Sequence, residues 1–285
     1  MKFPVKMKRK QLALLLISIG VLILICCYIG YKYINGVETF QNFNKHSNYH
    51  LGNNPNDKHH LYWTGGFDST FRLCELLVNE GKVVQPIYVS MVLDNDCQSE
   101  ENCKKLWLRR NRDEERKAMD KIRQELYLKF PFTRKTLLPT IEVEEDIGTP
   151  EFNQYFDTLF YENNLWPRKR RIHQYLFLSK YAFFHKLPID IGVVGTHEKS
   201  YLYHFLDKNL IHKNHNKEIA NKSHPVGYLR FPLFKRPKKE LFQDATRGGY
   251  NDILKHTWSC WFPQKGKPCG RCPMCKERVI EHPGN

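Results

Sequence analysis

Along the chain, short apolar runs alternate with stretches in which apolar residues recur every three or four positions. Leu61, Tyr62 and Trp63 fall in a buried strand over residues 60–63, and Leu73, Leu76 and Leu77 then share one face of a helix over 68–79. A second strand of β-branched and aromatic residues covers 83–92, and a long charged helix follows over 104–130. A third strand over 136–143 leads to helices over 151–162 and 172–185, and Ile-Asp-Ile-Gly-Val-Val-Gly at 189–195 is a fourth strand. Strands alternating with helices predict an α/β fold, a parallel sheet doubly wound by right-handed crossovers. In such a sheet a ligand sits beyond the carboxyl end of the first strand.

Upstream of this pattern, residues 11–31 carry no charge and, as a helix, span about 30 Å, the thickness of a bilayer core. They read as a transmembrane anchor. A cleaved signal peptide is the rival reading, but Cys26-Cys27-Tyr28-Ile29 continues the apolar run without a small-residue cleavage site. Residues 1–10 are a basic N-terminus, 32–58 a polar linker rich in turn formers, 59–257 the main domain and 258–285 a cysteine-rich C-terminal segment.

Charge changes the picture modestly. The 285-residue chain has 45 Lys+Arg against 30 Asp+Glu, a net charge of +15, which suits a polyanionic partner: nucleotide, nucleic acid or an anionic membrane face. Basic residues before the span put the N-terminus in the cytosol and the domain across the membrane, whereas reduced thiols favour a cytosolic domain, and the thiols decide for the cytosol. Asn221-Lys222-Ser223 is a glycosylation sequon that tests the choice. On the long helix, basic residues interleaved with acidic ones read as a solvated, salt-bridged face.

Candidate chemistry begins at Thr64-Gly65-Gly66-Phe67-Asp68-Ser69-Thr70. Two glycines let the backbone turn sharply and approach a ligand, and the loop runs into a helix N-terminus, where unpaired amides and the dipole attract an anion. The ordinary phosphate loop is excluded, because its lysine and longer spacing are missing.

Cysteines give the second signal. Of nine, Cys260, Cys269, Cys272 and Cys275 are spaced as Cys-x8-Cys-x2-Cys-x2-Cys, with Gly266, Pro268, Gly270 and Pro273 supplying turns. Four thiolates close a tetrahedral Zn²⁺ shell without an open position, so the site is structural in this reading. Two disulfides are the alternative. Trp258 and Trp261 beside Cys260 read as packing for this knob, with stacking on a base as the alternative. His197 follows the fourth strand, where sites gather, and is a candidate for substrate binding or proton transfer.

The loop resembles the Ser-Gly-Gly-x-Asp-Ser signature of the PP-loop ATP pyrophosphatases, with Thr64 in place of the first serine. Together with the four-cysteine spacing, it resembles the 7-cyano-7-deazaguanine synthases of queuosine precursor synthesis. Leu176-Phe177-Leu178, Val193-Val194-Gly195, Phe231-Pro232-Leu233 and Lys238-Lys239-Glu240-Leu241 extend the likeness in order. The resemblance implies an adenine nucleotide α-hydrolase-like fold and an ATP-dependent ligase, with Mg²⁺ accompanying the ATP. ATP adenylates a 7-carboxy-7-deazaguanine, ammonia displaces AMP to give an amide, and a second activation dehydrates it to a nitrile. Thr64, Gly65, Gly66, Asp68, Ser69 and Thr70 would hold the nucleotide, Asp68 and Ser69 acting at the phosphates, with residues 88–90 bordering the adenine.

Toward the acceptor the chain departs from the family. Glu198 matches, but the deazapurine-contacting segment after it does not. A Gly-Arg-Asn that opens the preceding helix is missing, and the basic run at Arg168 lies upstream as a substitute or a solvated face. Substrate candidates are therefore His197, Glu198 and Arg168. A PP-loop enzyme acting on tRNA or another nucleic acid and a nucleotide-binding membrane scaffold without turnover stay open, as does a homodimer.

Overall fold

The computed structural model describes residues 58–90, 111–143, 147–163, 174–194, 201–213 and 216–281, together with Leu24. The chain divides into two units, Met1–Leu51 and Gly52–Asn285; apart from Leu24, the described residues belong to the second. Among them no helix is long and apolar enough to cross a membrane. The expected anchor over 11–31 lies, but for Leu24, outside the described residues.

Among the described residues seven strands form one sheet: β1 (His59–Tyr62), β2 (Val84–Val89), β3 (Ile141–Val143), β4 (Ile189–Ile191), β5 (Leu210–Lys213), β6 (Asn216–Ile219) and β7 (Leu229–Arg230), in the order β3-β2-β1-β4-β7-β6-β5. The first five are parallel, with Leu61 of β1 opposite both Pro86 of β2 and Asp190 of β4. β2 is buried along its whole length, as a parallel strand covered on both faces must be. The expectation of a purely parallel sheet is corrected at one edge, where β6 runs antiparallel to β5 and β7. Leu-Ile-His-Lys and Asn-Lys-Glu-Ile are too short and too polar to announce that hairpin.

The helices are α1 (Phe67–Cys74), α2 (Arg112–Lys129), α3 (Thr133–Thr136), α4 (Pro150–Glu162), α5 (Gln174–Phe184), α6 (Tyr201–Asn209), α7 (Lys238–Arg247) and α8 (Pro273–Glu281). α1 continues as a π-helical stretch over Glu75–Asn79, which completes the helix expected over 68–79. Three expected strands are shorter in the structure, the second being reduced to Val84–Val89. A helical turn, α3, takes the start of the third, and the fourth stops at Ile191 because Gly192 is pressed against the start of α1.

The main apolar cluster joins Tyr62, Ile87 and Ile191 of the sheet to Phe156 and Phe160 of α4 and Leu176 of α5. Phe71, Leu73, Leu76 and Leu77 are inaccessible in α1 and the π-helical stretch after it. Since β2 and β4 flank β1 on opposite sides, the chain reverses its direction of progress across the sheet at β1, and a crevice opens beyond that strand.

Candidate functional site

The glycine loop occupies that crevice. Trp63 N–H donates to the Ile87 carbonyl at 3.0 Å, prolonging the β1–β2 ladder before the chain turns. Gly65 makes the turn with φ +69°, and a Cβ there would lie 3.0 Å from the Glu115 carbonyl oxygen and 3.2 Å from Ala118 Cβ. Only glycine is comfortable in that position. Gly66 is the N-cap of α1 in ordinary extended geometry, and Ser69 Oγ donates to its carbonyl at 3.2 Å.

The amides of Thr64 and Gly66 meet the hydroxyls of Ser69 and Thr64 at 3.4 Å, the long limit for such contacts. Hydroxyl rotors release such amides to a better acceptor at little cost. From β4, Gly192 closes on the loop; a Cβ there would stand 2.6 Å from Ser69 N. Any side chain on Gly192 would displace the start of α1.

A cleft of about 250 Å³ lies over this loop. Thr64, Gly66, Asp68 and Ser69 border it, whereas Gly65 is buried behind it and Thr70 is inaccessible, its hydroxyl accepting from the Trp63 indole at 3.0 Å. Thr70 thus shapes the loop from beneath.

Asp68 pairs with Lys238, the first residue of α7, and the ammonium sits 4.7 Å from the centre of the Phe67 ring. Across the cleft, the Tyr88 hydroxyl donates to Glu115 at 2.8 Å and Asn111 Nδ2 donates to the same carboxylate at 2.8 Å. Burial and then the Glu115 charge push the Tyr88 phenol well above its usual range, so it is a fixed donor. Tyr88 and Val89 border the cleft, while Ser90 is buried with its hydroxyl unpartnered.

Beneath the loop, Asp190 of β4 is inaccessible, with Arg72 Nε of α1 at 2.9 Å, Arg230 Nε of β7 at 2.6 Å and His59 Nε2 of β1 at 2.7 Å. Arg72 also meets Glu75 and Glu80, each at 2.6 Å, and Arg236 joins Glu75 at 2.7 Å to Asp244 of α7 at 2.6 Å. This chain of charges ties α1, which carries the loop, and α7, which carries Lys238, to the sheet.

The four cysteines converge. Their sulfurs lie within 4.8 Å of one another, and none of these four cysteines is in a disulfide. Cys269 and Cys275 sulfurs are 3.9 Å apart, close to the roughly 3.8 Å edge of a tetrahedron with zinc–sulfur bonds of about 2.3 Å. The amides of Cys269, Cys272 and Cys275 point at the sulfurs of Cys260, Cys269 and Cys272 at 3.2, 3.4 and 3.4 Å. Burial opposes ionisation of Cys269, but amide donation from Arg271 and Cys272 outweighs it and draws the thiol down to about 7. Four clustered soft donors with amides supporting the thiolates fit a zinc ion.

This knob reaches the loop. Trp258 N–H donates to the Gly65 carbonyl at 2.9 Å, and its indole donates to the Cys260 carbonyl at 2.8 Å. Trp258, Trp261 and Met274 pack on the cysteines and border the cleft as well.

His197, Glu198 and Arg168 lie outside the described residues. Sequence reasoning passed over the parts played by Lys238, Glu115 and Gly192. Lys238 carried a signal, since it follows Pro237 and opens an amphipathic helix, but its partner Asp68 is 170 positions away.

A family model, Queuosine biosynthesis protein QueC, matches residues 198–281. Over that C-terminal part the chain is QueC-like. The match takes in α7 with Lys238 and all four cysteines, and the glycine loop lies before it. No curated protein matches the chain.

Proposed function

We propose that the chain is a PP-loop ATP pyrophosphatase of the QueC-like kind, a ligase that adenylates a 7-deazaguanine carboxylate and converts it with ammonia to a nitrile. One observation carries the reading: the QueC-like C-terminal part supplies Lys238 and Trp258 to the same cleft that the doubled-glycine loop enters. The sheet is then an adenine nucleotide α-hydrolase-like fold, with the crevice beyond β1 as its nucleotide site.

In this reading the amides of Thr64 and Gly66, the Ser69 hydroxyl and the α1 dipole hold the β- and γ-phosphates. An acceptor carboxylate oxygen attacks the α-phosphorus, the bond from that phosphorus to the bridging oxygen breaks, and pyrophosphate leaves with the electron pair. Lys238 exchanges Asp68 for the departing phosphate, so charge is neutralised where it develops. Ammonia attacks the acyl carbon, loses a proton, and AMP departs to leave an amide. A second adenylation, on the amide oxygen, followed by loss of AMP and two protons, gives the nitrile. Magnesium arriving with ATP supplies further charge neutralisation, and Asp68, once released by Lys238, is the loop carboxylate placed to hold it.

Pyrophosphate release from ATP, with 7-carboxy-7-deazaguanine and ammonium present, tests the proposal. The native chain should release pyrophosphate only when acceptor is added and yield the nitrile, and Asp68→Ala should be slower by about a hundredfold or more. Nucleotide binding without acceptor-dependent release would instead make the chain a nucleotide-binding scaffold.

A further inference from the structure

The cysteine knob supplies a wall of the cleft whose chemistry differs from that of the loop. The loop end offers amides, hydroxyls and the Asp68–Lys238 pair; the knob end offers two half-buried indoles and the Met274 thioether. We propose that Trp258 and Trp261 are the residues on which the flat heterocyclic ring of the ligand stacks, a purine or a 7-deazapurine. This rests on the nucleotide reading above and deepens it.

Three observations carry the assignment. First, an indole face is a poor neighbour for phosphate and a good one for a π-system, and stacking of this kind tolerates any base. Second, the wall is rigid. The Trp258 indole is fixed to the Cys260 carbonyl and its main chain to Gly65, while Trp261 meets Phe262 edge-on with ring centres 6.5 Å apart. Little ordering is left to oppose binding. Third, Met274 lies in the same wall, and a thioether beside an aromatic ring is a favourable contact. Two rings meet these requirements, the adenine of ATP and the acceptor base.

The anchor from Trp258 to Gly65 uses the main chain, so an alanine at 258 removes the ring and leaves the loop tethered. Calorimetric titration of the full chain, supplied with zinc, compares native protein with Trp258→Ala and Trp261→Ala. The ligands are inorganic pyrophosphate, ATP and 7-carboxy-7-deazaguanine, each added alone. At least one ring-bearing ligand should bind about tenfold to a hundredfold more weakly to an alanine variant, pyrophosphate should bind as before, and phenylalanine at the same position should restore most of the loss. Weakening of ATP alone assigns the wall to adenine, and weakening of the deazaguanine alone assigns it to the acceptor.

The proposal is overturned if both variants bind the ring-bearing ligands as the native chain does, or if pyrophosphate affinity falls in step with theirs. A native chain that takes pyrophosphate but neither ring removes the wall and spares the loop. One that takes a ring but not pyrophosphate removes the loop reading, and it supports the wall when an alanine variant then weakens that ring's binding.

Discussion

Gly65 and Gly66 are neighbours with opposite tolerances. Alanine at Gly65 meets a left-handed backbone, φ +69°, and a Cβ crowded by the Glu115 carbonyl oxygen at 3.0 Å and Met119 Cγ at 3.2 Å. Gly65→Ala should lower the unfolding free energy by about 1–3 kcal/mol in urea titrations. Gly66 has φ −75°, and its added Cβ would find Thr64 Oγ1 at 3.3 Å and Trp258 O at 3.6 Å. Gly66→Ala should therefore stay within about 1 kcal/mol of native stability. It should still weaken pyrophosphate binding by up to about tenfold, the worth of one displaced hydrogen bond. Equal stability losses in the two variants would refute the distinction. The glycine pair is legible as a loop from the order of residues alone. Which glycine the backbone requires is not, because the crowding comes from Glu115 and Met119 on α2, some fifty positions downstream.

At the scale of elements, Asp190 is the clasp. A carboxylate inside β4 faces His59 of β1, Arg72 of α1 and Arg230 of β7, so one side chain joins three strands and the helix that presents the loop. Burial opposes its ionisation, but the hydrogen bond and charge of His59 and the charges of Arg72 and Arg230 outweigh it. The carboxyl is held well below the usual aspartate range. A depressed carboxyl pKa stabilises the fold above the unfolded value, near 3.9, and that contribution is lost as pH falls from there toward the folded value. Asp190→Asn removes the charge while Arg72 and Arg230 stay buried, so it should cost about 3–5 kcal/mol at neutral pH. Below about pH 4 the gap between the two proteins should narrow, in urea midpoints taken across the acid range. A variant that tracks the native curve at every pH would show that the clasp is not what holds α1. Nothing in the apolar run Ile189–Ile191 announces this role, since Arg72 lies 118 positions from Asp190. Periodicity reports which face of a strand is apolar and carries no trace of a partner brought up by a crossover. The same limit hid the antiparallel β5–β6 hairpin, whose alternation is masked by His212, Lys213, Lys217 and Glu218.

Among the described residues of the second unit, a large apolar cluster and a small one stand apart. The large one unites the sheet with α4 and α5; the small one consists of Cys260, Phe262, Cys272 and Cys275 with the tryptophans and Met274 against it. Four buried residues are too few to offset the entropy of fixing the loops around them, so a zinc ion on the four cysteines, worth on the order of 10–16 kcal/mol in small zinc modules, would hold the knob together. The sheet has no such dependence. Stripping zinc with a chelator under reducing conditions should thus leave the far-ultraviolet circular dichroism close to native while Trp258 and Trp261 fluorescence shifts toward the solvated value. The knob also carries Trp258 N–H, which holds the Gly65 carbonyl at 2.9 Å. Its release frees the turn, so pyrophosphate should bind the stripped protein several-fold more weakly, the loss expected for one anchoring hydrogen bond of about 0.5–1.5 kcal/mol. Restoring zinc should recover both signals together, with one ion bound for every four thiols that it withdraws from titration. Thiols that fail to react until a reductant is added would show disulfides instead. A chelator effect on fluorescence without any on pyrophosphate would show that the knob and the loop are neighbours with no energetic link.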